Sequence, residues 1–419
     1  MREYRFPTFE DGVNNVGRED QIPSTSLREA RNVDLLVSGQ TAKLRRRKGR
    51  ERVVAGVGCH SGVAGSDFVL SVDSGTLKLW RDLTQAPEEV ATGVGEVGYA
   101  EFSGGVIWSD GVQSGIVLHG GATKPFGLPA PNGAPNVGAS PNGGLYAGEY
   151  LVAVTFTRDG VESGASDVVS AAVAEGEGIQ LSSIPQPADA DAINIYATHA
   201  NGETLYFRAS IPVGTSAYVL GALDAKRAAQ TLSMDMLPMS QRLAMYNAHL
   251  FSLVGDTLYF SRPFNYQLHH TTEDYVLLGS EGNLLLAGDD GVFVGTEDGV
   301  YFFGGEEPQR FTQSWVSAAA IPDAGLSLDG GFVAGKLQGR TVAVWWTVDG
   351  VMMLGLPGGT VEPVRDVEFR ATTAERGVVA ATTREGTKQL VTVLRNPGAR
   401  SPMAFSDSVT IEVHKHGVQ

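Results

Sequence analysis

The residues able to do chemistry in this chain are scattered. Its eight histidines are His60, His119, His199, His249, His269, His270, His414 and His416, and only His269–His270 and His414–His416 are close pairs. A metal centre needs ligands converging from several elements, usually with thiolates or carboxylates among them. This spacing does not supply that. The single cysteine, Cys59, precedes His60. Neighbouring side chains on a strand point to opposite faces, so the two do not form a nucleophile and its base. Cys59 is expected to be a small buried residue, as free cysteines usually are. No Gly-x-Ser-x-Gly elbow, phosphate-binding glycine loop or His-Glu-x-x-His pattern occurs. We expect no catalytic residue, no metal ligand, no cofactor site and no enzyme activity.

One charge feature is dense. Lys43, Arg45, Arg46, Arg47, Lys48, Arg50 and Arg52 fall within ten positions, opposed only by Glu51. That segment carries +6, and the whole chain −15, so the remainder carries −21. The run could contact nucleic-acid phosphates, or acidic surface on a neighbouring copy. No aromatic residue is interleaved with the charges, as base-stacking sites require. Intersubunit contact is therefore the expectation for these seven residues.

The elements that must carry such residues are strands. Apolar residues alternate, or run in blocks of four to six, between Gly, Asp and Asn. Helix signals are few. Ser26 and Glu29 fit a capping box that would open a short helix through Ala30, and Ala222 to Gln230 would form another. Six segments share one layout of a strand, an acidic or glycine turn and a second strand. Their turn glycines are Gly75, Gly111, Gly255, Gly299, Gly350 and Gly386, separated by 36, 144, 44, 51 and 36 residues. Glycine takes the positive φ of a tight hairpin turn without strain. Four of the gaps match a β-propeller blade, where four strands take roughly 40–50 residues. The long gap is one blade plus an insertion. The first segment, Ser71-Val-Asp73-Ser-Gly75-Thr-Leu-Lys-Leu-Trp80, resembles the Asp-box of sialidase propellers, with its Trp two residues late. The Asp-box is a turn device and not a catalytic element.

The insertion follows a Pro- and Gly-rich loop at 125–142. It contains several short alternating stretches, with hairpin turns at Asp159-Gly160 and Asn201-Gly202, in the manner of an immunoglobulin- or fibronectin-III-like β-sandwich. The expected fold is all-β: a six-bladed β-propeller with that sandwich inserted and an N-terminal arm. The same spacing leaves five or seven blades as alternatives. The expected boundaries are 1–46 for the arm, 47–131 for blades one and two, 132–233 for the insertion, and 234–419 for blades three to six with a C-terminal tail.

The arm reads Asp11-Gly-Val-Asn-Asn15, Asp20-Gln-Ile-Pro23, Leu27-Arg-Glu-Ala-Arg-Asn-Val33, Gly39 and Leu44-Arg-Arg-Arg-Lys-Gly49. It resembles the opening of propeller proteins in the tails of short-tailed bacteriophages. Leu253 to Pro263 and Val292 to Pro308 resemble blades of that family. The resemblance implies a structural virion protein located in the tail and assembled in the host cytoplasm. It implies six copies ringed below the head-to-tail adaptor as a nozzle or tail tube, through which genome DNA passes without specific binding. The insertion would extend the tube or hold tail fibre proteins. The alternative is a carbohydrate-binding or glycan-processing propeller for host receptor recognition. That reading needs exposed aromatics, with Trp80, Trp108, Trp315, Trp345 and Trp346 as candidates, although strand-embedded tryptophan is usually core.

Composition bounds these readings. Glycine is 53 of 419 residues without a period of three, which excludes collagen and demands turns. At 42% hydrophobic and 19% charged, the chain can bury a core. Its net negative charge argues against a general basic nucleic-acid surface, and one cysteine excludes a disulfide scaffold. No 18-residue apolar run suggests a membrane span. The first residues lack the apolar stretch of a signal peptide, so none is expected.

Overall fold

The computed structural model describes residues 12–18, 20–23, 25–28, 33–38, 41–46, 56–223, 227–364, 369–384, 387–395 and 407–412. The protein is all-β, built from many small antiparallel sheets. Among the described residues there is no α-helix, and helical turns are limited to four short 3-10 segments.

Six of the sheets follow one another as simple meanders. Sheet 1 contains His60–Ala64, Val69–Asp73, Thr76–Trp80 and Glu88–Thr92. Sheet 2 contains Gly98–Phe102, Gly105–Ser109, Ser114–Leu118 and Thr123–Pro125. Sheet 3 contains Leu243–Tyr246, His249–Val254, Thr257–Phe260 and Tyr275–Leu277. Sheet 4 contains Gly282–Ala287, Gly291–Thr296, Val300–Gly304 and Thr312–Ser317. Sheet 5 contains Ala320–Asp329, Thr341–Thr347, Met352–Gly355 and Val361–Pro363. Sheet 6 contains Arg376–Arg384, Thr387–Arg395 and Asp407–Glu412. From sheet 2 onward, the first strand of each sheet lies beside the first strand of the next.

Gly75, Gly111, Gly255, Gly299 and Gly350 each lie in the link between the second and third strands of sheets 1 to 5. The tightest case is Ser74–Gly75, where φ is +55° and +74° and Asp73 pairs directly with Thr76. The sixth unit departs from this phase. The strands on either side of Gly386 are the first and second of sheet 6, as Arg384 pairing with Thr387 shows, while Gly386 itself lies outside the described residues. The phase is set by packing. Trp346, on the second strand of sheet 5, donates its Nε1–H to Thr392 on the second strand of sheet 6, at 3.0 Å.

Apolar side chains fill five seams. Leu70, Val72, Leu77 and Leu79 meet Val106, Trp108 and Val117 between sheets 1 and 2. Ala100 and Ile107 meet Leu243 and Leu250 between sheets 2 and 3. Phe251, Leu253 and Phe260 meet Val292, Val294 and Phe303 between sheets 3 and 4. Phe293 and Phe302 meet Ala343 and Trp345 between sheets 4 and 5. Val342, Val344 and Trp346 meet Val379, Leu390 and Leu394 between sheets 5 and 6. Removing such surface from water is the main favourable contribution to folding.

The chain leaves this series after sheet 2 and forms two facing sheets. One contains Asn136–Ser140, Gly178–Ser182 and Ala217–Leu220. The other is centred on Gly148–Arg158, which pairs with Val161–Glu162, Val169–Val173 and Ala192–Ala197, and the last of these pairs with Tyr206–Pro212. Their inner faces enclose a separate core that includes Tyr150, Val152, Ile179, Leu181, Ile193 and Ile195. The Asp159–Gly160 turn has positive φ at both residues, as a tight hairpin requires. Asp235 closes the base of the insertion, its Oδ1 accepting the Ala130 N–H at 3.0 Å and the Met236 N–H at 2.7 Å.

Neither expected helix forms among the described residues. Ser26–Leu27 is a short strand, parallel to Gly12–Val13. The Ser26 N–H donates to the Pro23 carbonyl, and its buried hydroxyl has no partner, so it caps nothing. In the second segment, Ala229 N–H bonds the Leu205 carbonyl and Ala228 bridges Tyr206, so the backbone runs extended beside a strand. Residues 29–30 and 224–226 lie outside the described residues. Cys59 is exposed, contrary to expectation. It sits in a surface turn whose Gly58 has φ +64°, lying over the Ser74 turn through a Ser74 N–H to Val57 carbonyl bond.

Candidate functional site

Where the first strands of the sheets converge, four charged side chains interlock. Glu96 lies two residues before the first strand of sheet 2, and Arg242 one residue before that of sheet 3. Asp323 occupies the irregularity between Ala320 and Gly325 in the first strand of sheet 5. Arg376 opens sheet 6. Arg242 places Nε 2.7 Å from Asp323 Oδ1 and Nη2 3.3 Å from Oδ2. Arg376 Nε lies 2.8 Å from the same Oδ2, and its Nη1 bonds Glu96. Arg242 Nη1 also donates to the Gly282 carbonyl of sheet 4, at 3.3 Å.

Positive and negative groups alternate along this chain of contacts, and the four sum to zero. Charge-assisted, forked Arg–carboxylate bonds hold geometry well. Asp323 spends both oxygens on guanidinium groups and is not placed as a free acid or base. The arrangement is a clamp that joins sheets 2, 3, 5 and 6 by side chains and reaches sheet 4 through a carbonyl. Close backbone approach accompanies it, since a Cβ on Gly98 would collide with the Gln241 carbonyl.

A second polar constellation lies in the insertion. Glu162 Oε1 accepts from Thr155 Oγ1 at 2.6 Å, Tyr196 OH at 2.6 Å and Asn194 Nδ2 at 3.1 Å. Its Oε2 meets Arg227 Nη2 at 3.2 Å, and that guanidinium lies over the Phe207 ring. Burial, and then the Glu162 carboxylate, push the Tyr196 hydroxyl well above its ordinary pKa. Every donor points at one carboxylate, so the group fixes the sheet and the 227–232 segment packed on it.

Asp73 of the Asp-box-like segment works as a turn device. Its carboxylate accepts from Lys78 Nζ at 2.7 Å, Val57 N–H at 2.9 Å and Ser74 Oγ at 3.2 Å. Lys78, and next the Val57 N–H, hold its pKa down at about 2. Trp80 Nε1–H donates to Ser71 Oγ at 3.0 Å, so the late tryptophan still closes onto the start of the motif.

Of the seven basic candidates, Lys43, Arg45 and Arg46 belong to the strand Thr41–Arg46, paired with Val33–Ser38, and their side chains lie outside what is described. Arg47, Lys48, Arg50 and Arg52 lie wholly outside the described residues, as do His414 and His416. His269 is buried, with Nδ1 3.1 Å from the Asp235 carbonyl, and burial pushes its pKa below the ordinary value. No group of three or more metal-ligating side chains occurs among the described residues. Trp80, Trp108, Trp345 and Trp346 are buried, but Trp315, on the outer strand of sheet 4, is 60% exposed. The clamp went unread because its members are up to 280 residues apart. A charge beside the first strand of several units was the available signal.

No family model matches this chain, and no curated protein matches it. Among solved structures, a complex of BBS1N with ARL6DN aligns at 11% identity and TM-score 0.35, covering 87% of this chain and 96% of the other. PorZ, a surface component of the type-IX secretion system of Porphyromonas gingivalis, aligns at 12% identity and TM-score 0.22, covering 86% of this chain and 46% of its own. Sqt1 of Saccharomyces cerevisiae aligns at 10% identity and TM-score 0.19, covering 67% and 90%. Among the described residues no helix is long and apolar enough to cross a membrane.

Proposed function

We propose that this chain is a structural protein of a short-tailed bacteriophage tail. In this reading it is a six-bladed β-propeller with an inserted immunoglobulin- or fibronectin-III-like sandwich. Copies assemble below the head-to-tail adaptor as a ring, with six as the expected number, and the ring's wall guides the genome during ejection. Tail fibre proteins would attach through the insertion. The observation that carries the reading is the arm. Its tail-protein-like segment includes Asn15, whose side chain grips the Arg370 backbone, donating to the carbonyl at 2.8 Å and accepting the N–H at 2.9 Å. A wall must resist deformation, and five apolar seams plus the charged clamp supply that stiffness. The acidic body suits the role, because like charge discourages DNA from adhering.

Native mass spectrometry tests the assembly. A ring of about six subunits supports it, and a monomer at all concentrations overturns it. Tight binding of duplex DNA at physiological salt would contradict the guiding wall. The glycan-binding alternative has one observation in its favour: Trp315 is exposed beside exposed Thr312, Gln313 and Ser314. Glycan binding abolished by Trp315→Ala, from a protein that stays monomeric, would replace the first reading with the second.

A further inference from the structure

Sheets 6 and 1 are the two ends of the series of six. Among the described residues no apolar cluster joins them. On sheet 6, Val378 is 59% exposed and Ala380 is exposed, while Val379 between them faces sheet 5. Sheet 6 also has three described strands where the other five sheets have four, so the outer edge of Asp407–Glu412 has no described partner strand. An open edge is a template for another strand. The rim on both sides is acidic in sequence. Asp407–Glu412 begins and ends with a carboxylate, and Glu88–Thr92, the outer strand of sheet 1, begins with exposed Glu88 and Glu89.

The same chain carries a strand pair of opposite charge. The hairpin Val33–Ser38 and Thr41–Arg46 forms a two-stranded sheet that joins no other among the described residues, and its second strand contains Lys43, Arg45 and Arg46. Its flanks are tied near the two end sheets. Upstream, Asn15 holds Arg370, ahead of sheet 6; downstream, Val57 donates to Asp73 of sheet 1. Among the described residues the hairpin pairs with neither sheet. Among the described residues, two strand edges of complementary charge in sequence are unpaired within one copy, which is the condition under which pairing between copies satisfies both.

We propose that the free edge Asp407–Glu412 receives the basic hairpin of a second copy as an added strand, each copy giving its hairpin to the next. This rests on the ring reading above and names the surface that builds the ring. Main-chain bonds supply the attraction of strand addition, and charge selects the partner edge. A head-to-tail contact of this kind generates closed rings when the rotation closes.

Two full-length chains with different tags, both carrying Cys59→Ser, test it. One carries Ala42→Cys and the other Thr410→Cys; they are mixed, allowed to assemble and treated with a short bismaleimide. The expected product is a covalent heterodimer containing both tags. Arg45→Glu with Arg46→Glu should lower its yield at least tenfold, and Asp407→Lys with Glu412→Lys on the other copy should restore it. Cross-linking only within a single chain carrying both cysteines would overturn the proposal, because the hairpin would then close its own seam. Failure to cross-link while native mass still shows a ring would overturn it and leave the ring reading standing. A monomer at all concentrations would overturn both.

Discussion

Between sheets 4 and 5, Trp345 is fully buried, 5.2 Å from the Phe293 ring, with Nε1–H donated to Ser317 Oγ at 3.2 Å. Between sheet 6 and the link that runs from sheet 1 to sheet 2, the described contact is the bond of Arg376 to Glu96, and Val378 on sheet 6 stands open. One seam is held by area and the other by charge. Apolar filling is not screened by salt and is costly to disturb. An exposed ion pair is worth little by itself and weakens as salt rises. The difference teaches where this molecule can be opened or joined: at the seam that its own chain leaves unfilled.

The largest effect should come from the filled seam. Trp345→Ala removes a buried ring from a packed interior and should destabilise by about 3–5 kcal/mol. Denaturant unfolding measures this directly. A loss below about 1 kcal/mol would mean the seam is not tightly packed. Gly98→Ala should follow, at about 1–3 kcal/mol, because the added methyl meets the Gln241 carbonyl and neighbouring strands must move apart.

The filled seams were largely legible in the sequence. Alternation marked the strands, and five turn glycines stood in the same place in five successive sheets. The sixth misled because Gly386 has the same local chemistry whether it joins the first and second strands or the second and third. Only packing against Trp346 decides the register. The clamp was illegible for a different reason. Glu96, Arg242, Asp323 and Arg376 each look like an isolated surface charge, and their meeting depends on how the sheets pack against one another. Trp315 shows the limit of residue type as a guide: it sits in a strand like Trp108 and Trp346, but on an outer strand with no sheet over it.

The clamp should matter less than the filled seam and more than the open face. Asp323→Asn leaves two guanidinium groups without their shared carboxylate and should cost about 1–3 kcal/mol. The loss should shrink in high salt, which separates it from Trp345→Ala. Equal losses at low and high salt would show that Asp323 acts through packing. Asp73 gives a pH counterpart on sheet 1. Its folded pKa of about 2 lies below the ordinary carboxylate value of 3.8. Its contribution is therefore complete above the unfolded value and fades as pH falls from about 4 toward 2. In Asp73→Asn, that part of the acid dependence of unfolding should disappear.

Val378→Ser should have the smallest effect in the isolated chain. The side chain is mostly exposed already, so deleting one methyl group and exchanging the other for a hydroxyl removes little burial, and the change should stay within about 0.5 kcal/mol. The comparison of seams depends on that number. A loss approaching that of Trp345→Ala would mean that the face of sheet 6 is covered in the lone chain. Measured again under conditions where copies associate, the same variant separates edge from face. A neighbour's hairpin added beside Asp407–Glu412 lies beyond the second and third strands of sheet 6 from Val378. Val378→Ser should therefore leave association as well as unfolding of the dilute chain unchanged, and a loss of association would mean that the neighbour covers the face instead of extending the edge.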